Sequence, residues 1–165
     1  MPHSFPALLL EDIPVRIHIG SDHAGLDFKA LIIAHLESRG YEVVDHGPHT
    51  LDPLDDYPLF CIPAAQAVAE DPGSFGIVLG GSGNGEQIAA NKVRGVRAAL
   101  AWSIETAKLA RQHNDANVVA IGGRMHTPEF CLEMVDAFIA EPFSHDERHI
   151  RRIGMVSKYE SEGSL

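Results

Sequence analysis

Gly76-Ile77-Val78-Leu79 runs straight into Gly80-Gly81-Ser82-Gly83-Asn84-Gly85, and Glu86 to Lys92 follows with a helix-like composition. The stretch reads as a strand, a tight bend and a short helix. The strand is apolar throughout, which fits burial on both of its faces. Four glycines in six residues exceed what a turn alone needs, and such a bend lets backbone N–H groups converge on an anion or an oxyanion. It is not the dinucleotide fingerprint, because Glu86 and Ile88 stand where the last glycine of G-x-G-x-x-G would fall. Gly20 to Gly25 is not a nucleotidase-type phosphate loop either, since Leu26-Asp27 replaces the required Lys-Ser/Thr.

The same strand-then-helix alternation recurs along the chain. Strands are expected at 15–19, 41–44, 96–102 and 118–121, each a β-branched or apolar run beside glycines. Helical patterns follow from Leu26 to about Gly40, from Phe60 to Ala69 with Pro63 near the first turn, and from Ser103, a capping residue, to about His113. Further helices are expected from Pro128 to about Ala140 and from His145 to Ile153. The segment 45–58, with Gly47, Pro48, Pro53 and Pro58, reads as a long loop. Alternation of this kind implies a Rossmann-like three-layer α/β/α sandwich with a five-stranded parallel sheet. Ligands in such sheets bind outside the carboxyl ends of the strands. That edge holds Gly20 to His23, Gly80 to Glu86 and Gly122-Gly123-Arg124.

Size and charge narrow the function. The chain has 165 residues, and domains run to about 100–200 residues, so one domain is expected over 15–158, with flexible segments at 1–14 and 159–165. Thirteen basic against 23 acidic residues leave a net charge of −10. Nucleic acid and anionic membranes are repelled by such a surface, so any anionic ligand must meet a local basic cluster. No run of residues approaches the ~20 apolar positions of a membrane span, and the Leu8-Leu9-Leu10 run lacks the flanks of a signal peptide. The cytoplasm is the expected location. Cys61 and Cys131 form no C-x-x-C pair and read as buried thiols.

The chemical candidates each have a plain structural reading beside them. Glu86 suits the first turn of a helix, where the dipole favours an acid and lowers its pKa; as a base it would need closure over an anionic substrate to bring the value back up. Asp22-His23 either caps the next helix or touches a ligand. His113-Asn114 ends a helix, where histidine is a favourable dipole partner. Arg148, Arg151 and Arg152 share one helical stripe, and Arg124 could join them in an anion site. His145 and His149 match neither zinc-helix motif, and the His46, His49, Asp52, Asp55, Asp56 crowd reads as a solvated polar loop. No required metal is expected.

Five ordered segments resemble the ribose-5-phosphate isomerase B family, which also includes galactose-6-phosphate isomerase subunits. They are Gly20-Ser21-Asp22-His23-Ala24-Gly25; Asp56-Tyr57-Pro58; Gly80 to Glu86 with Ala89-Ala90-Asn91-Lys92; His113 to Asn117; and Gly122-Gly123-Arg124. The resemblance covers Val15 to Arg152. Many members carry a cysteine base where this chain has Gly80; Ser82-Gly83-Asn84-Gly85-Glu86 looks like the glutamate-base branch typical of actinobacteria. The resemblance implies aldose–ketose isomerisation of ribose 5-phosphate and ribulose 5-phosphate, a step of the non-oxidative pentose phosphate pathway, without cofactor or metal. It implies Glu86 as the base, His113 as the ring-opening group, and Ser82 on the reacting oxygens. The amides of Gly81, Ser82, Gly83, Asn84 and Gly85 would hold the enediolate. Asp22, Asn114 and Tyr57 would bind the sugar, and His23, Arg124, Arg148 and Arg152 the phosphate. It further implies dimers with sites shared between subunits, in some members tetramers. Two alternatives stand beside it: isomerisation of another phosphorylated sugar, a tetrose or hexose phosphate, and a non-catalytic sugar-phosphate-binding module.

Overall fold

The computed structural model describes residues 14–165, so the expected N-terminal extension lies, apart from Pro14, outside the described residues. Five strands, β1 (Arg16–Ser21), β2 (Glu42–Asp45), β3 (Phe75–Gly80), β4 (Ala98–Leu100) and β5 (Val118–Gly122), form one all-parallel sheet in the order β2-β1-β3-β5-β4. The helices are α1 (Leu26–Ser38), α2 (Pro58–Glu70), α3 (Asn84–Ala90), α4 (Ile104–Asn114), α5 (Pro128–Ala140) and α6 (Glu147–Glu162).

Strand alternation divides the core in two. Ile17, Ile19, Ile77, Leu79, Val119 and Ile121 face α1, α4 and α5, where Ile32, Leu36, Ala107, Met134 and Phe138 complete one cluster. Val78, Val118 and Ala120 point the other way, onto Cys61, Ala65 and Val68 of α2 and Ala90 of α3. Each fully buried Ile, Leu or Phe contributes about 1.5–3 kcal/mol, so the all-apolar strands are the ones with cover on both faces. Both cysteines are buried and free, as expected.

The strand order decides where a ligand can sit. From β1 the chain moves to β2 on one side and then to β3 on the other, so a crevice opens at the carboxyl ends of β1 and β3. Register brings the strand ends level: Ser21 pairs with Leu79, and Gly80 with Gly122. The three glycine-rich segments therefore meet at one edge.

Several boundaries differ from expectation. β4 is three residues long rather than 96–102, because it is an edge strand bonded only to β5, and at Trp102 the backbone N–H already donates to Thr106 of the α4 cap. That cap is the expected Ser103, in a full capping box with Thr106. α2 begins at Pro58, which puts Pro63 in the helix interior and not in its first turn. α6 begins later than His145 and runs past Ile153 and Lys158 to Glu162, where Gly163 stops it in the left-handed region at φ 71°. Most of the expected loose tail is therefore helix. Among the described residues no helix is long and apolar enough to cross a membrane.

Candidate active site

The glycine bend is shaped around one carboxylate. β3 ends at Gly80, Gly83 takes the left-handed conformation (φ 82°), and α3 starts at Asn84. Glu86 then folds back over Gly80: a Cβ built on Gly80 would collide with the Oε1 and Cδ of Glu86. Only a residue with no side chain leaves room for that carboxylate. Glu86 is 4% exposed. Burial raises its carboxyl above the ordinary value, its own backbone N–H pulls it down by less, and the charge of Asp22 adds to the rise. The expectation that the helix start holds Glu86 low until substrate closes over it is thus corrected, because exclusion of water outweighs the amide. Cys61 on α2 feels the same neighbours. Burial first, then Glu86 and Asp22, push its thiol far up, so it is no thiolate base.

Around Glu86 the walls come from four segments. The Tyr57 ring lies against Gly85, and the Arg124 side chain passes over Gly81, 3.5 Å from where a Cβ would be. Tyr57, Gly81, Ser82, Gly85, Glu86 and Arg124 line an open pocket of about 480 Å³. Arg124 N–H donates to the Gly81 carbonyl at 3.1 Å, tying the end of β5 to the bend. Ser82 is exposed at the rim, its hydroxyl accepting the Asn84 N–H at 3.3 Å. Asp22 realises the capping reading: its Oδ1 accepts the N–H groups of Ala24 and Gly25 at 2.9 and 3.2 Å. His23 follows it in the same turn, with Nδ1 2.7 Å from Asp55 Oδ1.

His113 and Asn114 are not in this pocket. They close α4, and the chain then enters β5 at Val118, which pairs with Gly76 at the start of β3. Glu86 follows the other end of β3. Four strand steps, or about 13 Å, separate the two sheet edges. Arg148 and Arg152 do not line the Glu86 pocket either; Arg152 borders a larger groove of about 730 Å³, shared with Asn114, Leu100, Trp102, Ile153 and Val156. Arg124 and Arg152 thus border different cavities of one chain. His149 lies beneath His113, 3% exposed, with ring centroids 4.3 Å apart and its Nδ1 2.9 Å from Ser144 Oγ. Burial is the main reason its pKa is lowered, with His113 adding to the effect.

Asp55 is the site neighbour that sequence reasoning missed. By sequence it is one acid of a solvated loop, yet its side chain is 6% exposed and paired with His23. Nothing local separates it from Asp52 or Asp56, because its burial depends on the path of the loop. That path is secured by Lys29, itself buried, which donates to Asp45 Oδ1 and the Pro48 carbonyl. Asp22, His23 and Asp55 hold metal-ligand-type atoms within 4.8 Å of one another. The ring Nδ1 and the carboxylate Oδ1 contact each other at 2.7 Å, the geometry of an Asp–His pair.

Comparison with known proteins follows the same lines. The family model described as Ribose/Galactose Isomerase matches residues 17–156. Ribose-5-phosphate isomerase B of Mycolicibacterium paratuberculosis is 58% identical over 146 residues, spanning 88% of this chain and 92% of that protein. The protein of the same name from Mycobacterium tuberculosis H37Rv is 57% identical over 146 residues, 88% of this chain and 90% of its own. Among solved structures, ribose-5-phosphate isomerase B of Mycoplasma genitalium with bound ribulose-5-phosphate superposes with a TM-score of 0.87 at 43% identity, covering 90% of this chain and 97% of that one.

Proposed function

The chain belongs to the ribose/galactose isomerase family, and from that premise we propose that it interconverts ribose 5-phosphate and ribulose 5-phosphate. One observation carries the reading: a carboxylate with raised proton affinity, buried against Gly80 and opening onto a pocket that Arg124 borders. A base that must take a weakly acidic C–H proton near neutral pH needs this tuning.

In the proposed mechanism Glu86 removes the proton from C2 of the open-chain aldose. Electrons move into the C1 carbonyl and give a cis-enediolate. The same carboxylate returns the proton to C1 while O2 becomes the ketone oxygen; Ser82 passes a proton between O1 and O2. One group serves both carbons because they lie on one side of the planar intermediate. The amides of residues 81–85 stabilise its oxygen charge. Asp22 and Tyr57, with Asn114 from a second chain, hold the sugar, and His23 and Arg124, with Arg148 and Arg152 from that second chain, hold the phosphate, far enough from the reacting carbons to act as an orienting handle.

His113 would open the furanose ring, and it comes from a second chain. The separation of Glu86 and His113 by the depth of the sheet supports this. So does the groove along edge strand β4 and α6, with exposed Trp102, Ile150, Met155, Val156 and Tyr159, since apolar surface of this extent beside an open sheet edge marks an interface. A homodimer with shared sites is the expected assembly.

The direct test is turnover of ribose 5-phosphate in deuterated water, with and without a chelator. Ketose carrying deuterium at C1, formed equally in both, is expected. Ketose formed without solvent label under single-turnover and multiple-turnover conditions alike, or turnover abolished by the chelator, would overturn the metal-free proton-transfer mechanism.

A further inference from the structure

Asp55 holds His23 twice through one oxygen: Oδ1 accepts the His23 backbone N–H at 3.0 Å and lies 2.7 Å from the ring Nδ1. Its other oxygen, Oδ2, is buried with no hydrogen-bond partner among the described residues. A half-satisfied buried carboxylate is costly to keep, and the cost falls when the ring in contact with it carries the opposite charge. An ionised carboxylate only accepts, so the hydrogen sits on Nδ1 and the ring's exchangeable face is Nε2. Nε2 has no protein partner among the described residues, and the side chain is 29% exposed just past the carboxyl end of β1. The start of the loop has its own anchor, since buried Lys29 ties Asp45 and Pro48 to α1.

We propose that Asp55 is a positioning residue for phosphate recognition: it fixes the His23 ring with Nε2 toward the phosphate of the substrate and places its carboxylate behind that ring. The inference rests on the reading of His23 as a phosphate contact and adds the group through which His23 acts. It also explains why an acid adjoins an anion site in a chain of net charge −10: the carboxylate touches the far side of the ring and not the ligand.

A double-mutant cycle on the full-length protein tests it, with His23→Ala, Asp55→Ala and the pair, and with Asp55→Asn as the conservative variant. KM and kcat for ribose 5-phosphate are read together with the affinity for inorganic phosphate by calorimetry. Asp55→Ala is expected to weaken phosphate binding and raise KM about tenfold, the scale of one lost charge-assisted contact, with kcat changed by less than about threefold. In the His23→Ala background the same substitution should cost less than about twofold, because its route of action is gone. Asp55→Asn, which keeps the acceptor but not the charge, should fall between. Multiplicative effects of the two substitutions, or an Asp55→Asn protein that binds phosphate as the parent does, would overturn the proposal. If Asp55→Ala does not fold, the cycle is run with Asp55→Asn. The phosphate titration reads the cycle without turnover, so loss of the isomerase reading and loss of this one give different results.

Discussion

Glu86 stands where the side chain of residue 80 would stand, and two consequences follow at the scale of single residues. Glu86→Gln keeps the shape and removes the proposed base. Turnover should fall by about 10²–10⁴-fold while sugar-phosphate binding, followed by calorimetry, persists; unchanged turnover would remove Glu86 from the mechanism. The same variant has a stability signature. Burial raises the Glu86 carboxyl above its ordinary 4.5, so the folded chain holds this proton more tightly than the unfolded chain does. That difference costs nothing when both folded and unfolded states are protonated, and the stability it represents is lost as pH rises through the folded value. Glu86→Gln should therefore melt higher than the parent at about pH 8, and the gain should vanish at about pH 4. Activity of the parent should fall on the acid side at a pH above the ordinary glutamate value.

At the scale of elements, the strand–bend–helix unit of β3 and α3 depends on backbone shape more than on side-chain contacts. Gly83 sits at φ 82° just before α3, and a Cβ there would come 2.8 Å from Leu100 Cδ1 and 3.0 Å from the Ile121 carbonyl carbon. Both the conformation and the space reject a side chain. Gly83→Ala should destabilise by about 1–3 kcal/mol, read from the denaturant midpoint. The same bend was legible in the sequence because glycines announce themselves by type. The start of α4 was legible too, since Ser103 is a capping residue ahead of a helical run. The far end of α6 was not: its mixed, highly charged composition resembles a solvated tail until Gly163 is recognised as the terminator.

At the scale of the whole molecule, the residues of the proposed site lie at opposite edges of one sheet. Glu86, Asp22, His23, Tyr57 and Arg124 cluster at the carboxyl edge, whereas His113 and Asn114 end α4 at the amino edge. A shared-site dimer makes a quantitative prediction. Glu86→Gln chains and His113→Ala chains should each be strongly impaired alone. Refolded together at equal amounts, they should recover about a quarter of the parent activity, because half of the dimers are mixed and each mixed dimer keeps one intact site. No recovery in dimers proven to be mixed would exclude a site built from two chains.

Local chemistry alone determined the elements of the proposed site: glycines at the strand ends, an acid after the bend, a histidine at a helix end, and apolar strands that demand cover on both faces. These are properties of residue type and spacing, and they survive without coordinates. Only the tertiary structure decided the strand order and so the crevice, the burial that raises Glu86, the distance between Glu86 and His113, and the choice of Asp55 over Asp52 and Asp56 as the partner of His23. Those are matters of how segments distant in sequence exclude water from one another, which no short window of sequence contains.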